Sequence, residues 1–379
     1  MNEYIVVGAG ITGAVIARHI AERGNRVLVI DRRSHIAGNM YDSADESGIL
    51  VQKYGPHIFH TNNERVYDYI TKYSRWSNFY LECMVYMNGK YTSSPFNFAT
   101  IDDFFSREKA QEIKTHIRAV YGDTEKAAIV DMLDSTDDVI REYAEFLYEN
   151  DYSLYTAKQW GIKPDEIDKS VLKRVPVLFS YRTGYFDDKY QCMPVGGFTD
   201  FIKNVLDHEN ITIKLNTQAK ELLSISDGKL LIHGKETETT VFYTGAVDEL
   251  LNCKYGVLAY RSLRFEYRTE NTDSYQQAPV VAYPQAEGYT RITEYSKLPI
   301  QKTAGRTVIA VEYPYAYRCG ESEPYYPIPT MDNVALYEKY REELSRVKGL
   351  HLCGRLGDYK YYNMDQAIAR ALEICDRIG

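Results

Sequence analysis

The chain has 379 residues, 44% hydrophobic and 26% charged, with a net charge of −8. That is enough for two or three packed units, and the acidic balance argues against nucleic acid as a partner. No apolar run approaches the roughly 18 residues of a membrane span, and the opening "MNEYIVVGAG" has no leader pattern, so a cytoplasmic protein is expected.

In chain order, "YIVV" from Tyr4 is an apolar strand running through Gly8-Ala9-Gly10 into a helix, Ile11 to Gly24, and "RVLVID" is a second strand ending at Asp31. This β-α-β unit calls for a parallel sheet. A helix is expected over Asn63–Ser74, and Asn88-Gly89 between two strand-like runs is a type I′ hairpin signal. From Asp102 to Gly122, and again from Thr124 to Asp151, apolar residues recur at three and four, predicting helices. A helix follows over Val195–His208, then a strand from Ile211. Val241–Leu251 reads as a buried strand, a glycine turn and a helix. Strand-like segments run from Arg261 to Tyr315, followed by a helix over Asn333–Val347 and a closing strand–helix unit around Gly354-Arg355 and Asn363-Met364.

The predicted architecture is α/β: a discontinuous Rossmann-like nucleotide-binding domain (1–76, 193–250 and 348–379) with two insertions. One insertion is helical (98–170); the other is an antiparallel β-sheet domain (77–97, 171–192 and 251–347).

Gly8-Ala9-Gly10-Ile11-Thr12-Gly13 is GxGxxG between a strand and a helix, and Asp31 ends the next strand. Gly8 suits the tight turn, Gly10 the approach to a pyrophosphate, Gly13 close helix–strand packing and Asp31 a ribose hydroxyl. The motif does not choose between NAD and FAD. The basic, glycine-containing loop Arg32–Asn39 points to a flavin dinucleotide, with the closing helix N-terminus over the flavin to stabilise negative charge on reduction.

"YGPHIFHTN" holds His57 and His60, but no third ligand lies near and HExxH is absent, so no metal is expected. The six cysteines are scattered without a CxxC pair, as in reduced cytosolic proteins. GxSxG and P-loop spacings are also missing, which leaves the chemistry to the cofactor. Tyrosine is abundant, 35 against 13 phenylalanines and 2 tryptophans. Several tyrosines flank Arg174, Arg261, Arg291 and Arg355, a combination suited to a nucleotide diphosphate.

"VVGAGITGAV", "HIAGN", "YGPHIFHTN", "YTAKQWG", "LKRVPV", "GYFDDKYQCMPVGGFTDFI", "YTRITEY", "EPYYPI" and "CGRLGDYKYYNMDQAI" appear in the order found in UDP-galactopyranose mutases, which the chain resembles over nearly its whole length. The resemblance implies an FAD enzyme, active when the flavin is reduced, that interconverts UDP-galactopyranose and UDP-galactofuranose through a flavin N5–sugar adduct. Arg174 and Arg291 would clamp the diphosphate. Tyr155, Thr156, Trp160 and Tyr185 would line the uridine and sugar pocket, and Tyr326 and Tyr361 would donate to phosphate. Gly8, Gly10, Thr12, Gly13, Asp31, Asn39, His57, Ile58, Arg355, Asn363 and Met364 would contact FAD, with His60 near the flavin; Arg174, Arg291 and His60 are the expected catalytic residues. Pro164 to Val175 resembles the family's mobile loop. A homodimer and a reductant, NAD(P)H or a reductase, are implied as well.

The chain departs from the family pattern at Ala37, where a glycine is usual, and at Asn363, usually Asp. It departs again at "YLECMVY" and at Asp151, where many members carry an apolar or aromatic residue. The alternatives are the same chemistry on UDP-N-acetylgalactosamine or dTDP-fucose, a flavin oxidoreductase of amine-oxidase type, and a non-catalytic nucleotide binder.

Overall fold

The computed structural model describes residues 4–161, 163, 172, 175–303 and 305–378. Its spine is a parallel sheet in the order Ile211–Lys214, Val27–Ile30, Tyr4–Val7, Thr240–Tyr243, Leu350–Leu352. Period-two alternation sends Val6, Val29 and Phe242 into one core, against the helices Ile11–Glu22, Phe198–Leu206 and Met364–Ile378. Ile5, Val7, Val241 and Tyr243 enter the opposite core, against the helix Met331–Ser345. Strands covered on both faces read as unbroken apolar runs, which is why they stand out in the sequence.

Because the strands are parallel, their C-terminal ends lie along one edge of the sheet. That edge receives Gly8, Asp31, Thr244 and Cys353-Gly354 from four distant stretches of chain.

A second, seven-stranded sheet runs Tyr326–Pro327, Tyr260–Glu270, Thr307–Ala316, Arg291–Glu294, Val280–Ala282, Cys83–Met87, Lys90–Ser94. It departs from the expected antiparallel pattern at one seam, where Val280–Ala282 pairs parallel to Cys83–Met87. These strands come from separate stretches of chain, so no hairpin forces them antiparallel. The predicted Asn88-Gly89 turn closes Cys83–Met87 onto Lys90–Ser94 with both turn residues at positive φ, 49° and 77°.

The helical stretches are more broken than their periodicity suggests. Phe105 is extended and Ser106 caps a new helix, so the expected Asp102–Gly122 run becomes Phe98–Phe104 and Arg107–Tyr121. Downstream, Lys126–Ala127 is a short strand paired with Val177–Leu178. Ile129–Leu133 and the Asp137-capped Asp138–Leu147 follow, then a π-turn, Tyr148–Tyr152, that leads into Ser153–Trp160. The helix expected from Val195 starts at Phe198, because Gly196 and Gly197 hold φ of 96° and 97°.

Candidate active site

The glycine turn is built around contacts that no side chain could share. A Cβ on Gly8, at φ 107°, would sit 2.0 Å from Thr244 Oγ1, and one on Gly13 would sit 2.0 Å from the Gly8 carbonyl oxygen. Gly10 caps the helix Ile11–Glu22 without a side chain, and no acidic residue occupies the first turn. The first N–H groups of that helix are therefore left for an anion. Both Asp31 oxygens are engaged in holding the turn: Oδ2 accepts from Ala9 N at 2.8 Å and Oδ1 from Arg33 N at 2.9 Å. Their remaining lone pairs face the same space.

That space is a cleft of about 1290 Å³. Gly8, Gly10, Thr12, Gly13, Asp31, Asn39, His57, Arg355, Asn363 and Met364 all line it. Ile58 is instead buried in the adjoining core. Asn39 Oδ1 accepts from Arg33 Nη2 at 2.9 Å, and Ala37 sits in the left-handed region at φ 72° with its N–H donating to Ala9 O.

His57 donates from Nδ1 to Gly55 O at 2.8 Å, and its backbone N–H donates to Gln52 Oε1. Burial pushes its pKa down to about 4, with Arg355 and Arg291 pressing the same way. The ring is thus neutral and presents Nε2 as an acceptor. His60 is not among the cleft-lining residues. It stacks on Phe186 at 3.8 Å and donates from Nδ1 to Asp188 Oδ2.

The second sheet contributes the charge. Arg291 pairs in register with Glu312, whose Oε2 accepts from Nε at 2.8 Å and Nη2 at 2.7 Å. Burial alone would lower the arginine's pKa, but Glu312, Tyr155 and Tyr326 more than offset this and it is raised. A permanent cation is fixed there, with Nε and Nη2 held by the carboxylate. Arg355 lies over the rings of Tyr326 and Tyr361 at 5.0 and 5.5 Å, and those rings stack on each other. Tyr155 is half-buried, within the fields of Arg291, Glu312, Tyr185 and Asp151, and Thr156 is buried. Arg174 lies outside the described residues, and the Trp160 side chain is likewise not described.

The comparisons with known proteins agree with this geometry. Residues 151–361 match the family model described as UDP-galactopyranose mutase, and residues 6–73 match an NAD(P)-binding Rossmann-like domain. A Klebsiella pneumoniae protein named "Probable UDP-galactopyranose mutase" is 39% identical over 375 residues, 98% of this chain and 93% of that protein.

The chain belongs to the UDP-galactopyranose mutase family.

It is accordingly an isomerase of the mutase type. UDP-galactopyranose mutases are not its sole relatives: an Escherichia coli protein named dTDP-fucopyranose mutase is 34% identical over 376 residues, 98% of this chain and 97% of that protein. In fold it is similar to a crystal structure of reduced UDP-galactopyranose mutase, with a TM-score of 0.70 at 16% identity, covering 100% of this chain and 94% of that one. A putrescine oxidase shares the fold more distantly, with a TM-score of 0.58 at 12% identity over 100% of this chain and 98% of that one.

Reading UDP-galactopyranose mutase motifs along the sequence misses Glu312, the counter-ion of Arg291, and Glu323, whose Oε2 accepts from Arg32 and Arg33 beside the cleft. Glu312 stands in a recognisable "EYP" segment, but its pairing depends on strand register, which no local signal carries.

Proposed function

We propose that the chain is an FAD-dependent mutase interconverting UDP-galactopyranose and UDP-galactofuranose. The carrying observation is Arg291, a partly buried cation held by Glu312, within the fields of Tyr155 and Tyr326 and near enough to act on the cleft histidine His57. Scission of the glycosidic bond raises the charge on the departing diphosphate. A preorganised cation with phenol donors at that point stabilises the transition state more than the ground state. Arg355, over the rings of Tyr326 and Tyr361, adds a second cation beside the same phenols.

FAD suits the cleft because the Gly8–Gly13 turn leaves helix N–H groups for a pyrophosphate, and Gly10 and Gly38 face each other with no side chain between. Asp31, Asn39, Arg355, Asn363 and Met364 would hold the dinucleotide. When bound and reduced, the flavin supplies an electron-rich nitrogen to the anomeric carbon, which fits a site with no evident protein nucleophile. An electron donor such as NAD(P)H or a reductase is then required, and Arg174 and His60 remain candidate catalytic groups. The same geometry would serve dTDP-fucose, a reading favoured by the Escherichia coli relative.

The test is to reduce the purified protein with dithionite and follow furanose and pyranose forms of UDP-galactose and dTDP-fucose by chromatography. Turnover lost on flavin oxidation and on Arg291→Ala is expected. A colourless protein, or substrate-dependent oxygen uptake in place of isomerisation, would overturn the proposal.

A further inference from the structure

The six cysteines are scattered along the chain, yet the fold brings two of them together. Cys253 Sγ lies 3.9 Å from Cys319 Sγ, a contact between residues 66 apart in sequence. Cys319 is exposed and Cys253 half-buried, whereas Cys83, Cys192, Cys353 and Cys375 are buried. Both thiols line the cleft, beside Asn252, Lys254 and Gly320. Among the described residues no third His, Cys, Asp or Glu completes a metal-binding group with them.

The two thiols belong to different halves of the molecule. Cys253 follows the helix Val247–Leu250, which continues from the parallel-sheet strand Thr240–Tyr243. Cys319 follows the strand Thr307–Ala316 of the second sheet. Arg32, the neighbour of Asp31, marks their place along the cleft. It reaches Glu249, four residues before Cys253, at 3.6 Å, and Glu323, four residues after Cys319, at 2.5 Å. The pair therefore belongs to the Asp31 end. Each cysteine sits in a defined turn. Asn252 and Cys253 are left-handed, at φ 50° and 55°, and Cys253 N donates to Asp248 O at 2.7 Å. Asparagine tolerates that region, but a cysteine there is strained. On the other side, the N–H groups of Glu321 and Ser322 both donate to Arg318 O and close a turn around Cys319.

We propose that Cys253 and Cys319 form a reversible disulfide site that staples the two sheets together at the Asp31 end of the cleft. The oxidant is a small-molecule disulfide. The exposed Cys319 gives up its proton, and its thiolate attacks one sulfur of that disulfide, forming a mixed disulfide. The displaced small thiolate takes up the proton. Burial and Asp248 push the Cys253 thiol up to about 12, so it stays protonated until this second step. Its sulfur then displaces the remaining small thiolate from Cys319, and the Cys253 proton leaves with that thiolate. Two protein thiols are oxidised to one disulfide, and the small disulfide is reduced to two thiols. An exposed bridge of this kind is readily reduced again. The bridge requires no dinucleotide, but its effect rests on the FAD reading: with the sheets joined, bound FAD leaves more slowly.

The test is to incubate the purified protein with oxidised glutathione and count thiols after denaturation, in wild type, Cys253→Ser and Cys319→Ser. Wild type should lose two of its six thiols, yield a Cys253–Cys319 cross-linked peptide, and recover both thiols in dithiothreitol. Cys253→Ser should retain glutathione on Cys319, and Cys319→Ser should take up none. Six free thiols in wild type, or a stable glutathione adduct there in place of the cross-link, overturn the proposal, and neither result depends on the variants folding. Flavin release after dilution, followed by fluorescence, should slow on oxidation of wild type and stay unaltered in both variants. An unchanged rate in cross-linked wild type refutes the staple. A cross-link formed in a protein that takes up no flavin refutes the FAD reading while the bridge stands.

Discussion

Glu312→Gln asks whether Arg291 is an anchored charge or merely a packed side chain. Glu312 is 2% exposed, and its Oε2 lies 2.8 and 2.7 Å from two guanidinium nitrogens. At such distances an effective dielectric of 20 gives an attraction of about 6 kcal/mol, most of which offsets the desolvation of both groups. Gln preserves the shape and an acceptor oxygen but leaves the guanidinium without a counter-charge. Breaking a buried pair from one side costs about 3–5 kcal/mol, and the retained hydrogen bond returns about 1 kcal/mol. The expected destabilisation is thus about 2–4 kcal/mol, a fall of several degrees in Tm.

The ligand supplies the sharper readout. A bound diphosphate restores the missing negative charge, so UDP binding and folding are coupled more strongly in the variant. Thermal unfolding with and without saturating UDP should show a larger UDP-induced rise in Tm for Glu312→Gln than for wild type. Equal rises would mean that the diphosphate does not meet Arg291, and an unchanged Tm without ligand would mean that the pair is not a stabilising contact.

Ala37→Gly removes a Cβ from a left-handed residue at φ 72° and should stabilise by about 0.5–1 kcal/mol, read as a higher urea midpoint at unchanged slope. His57 is neutral in the fold, its pKa held at about 4 by burial, below the unfolded value near 6.5. Its contribution is complete above pH 6.5 and is lost as pH falls towards 4, about 3 kcal/mol in all; His57→Gln should lack that part of the decline in acid titrations of stability. Gly13→Ala places a Cβ 2.0 Å from the Gly8 carbonyl oxygen and must deform the turn, so the purified variant should carry less flavin absorbance per protein than wild type. An unchanged ratio would separate the turn from cofactor binding.

What was legible in the sequence is what one stretch of chain decides by itself. The apolar runs at Tyr4–Val7 and Val27–Ile30, the Gly8–Gly13 turn and the Asn88-Gly89 hairpin each follow from local sterics and burial, and each forms where expected. Helix ends were less legible, because Phe105 and Ser106 break a periodic run through a cap that competes with continued helix. Pairings across the chain were not legible. Arg291 meets Glu312 through strand register, and Asp31 turns out to hold the glycine turn by both carboxylate oxygens rather than standing free.

Lys158 lies on that boundary too. In the sequence it is one more cation on a helix, with acidic residues such as Asp151 upstream as natural partners; in the fold it gives its three donors to the carbonyls of Tyr283, Ala286 and Tyr289. The lysine therefore ties the helix Ser153–Trp160, which carries Tyr155 and Thr156, to the loop that leads into the strand Arg291–Glu294. Three bonds to one cation fix the helix against the arginine's strand, a coupling between distant stretches of chain that no local pattern announces.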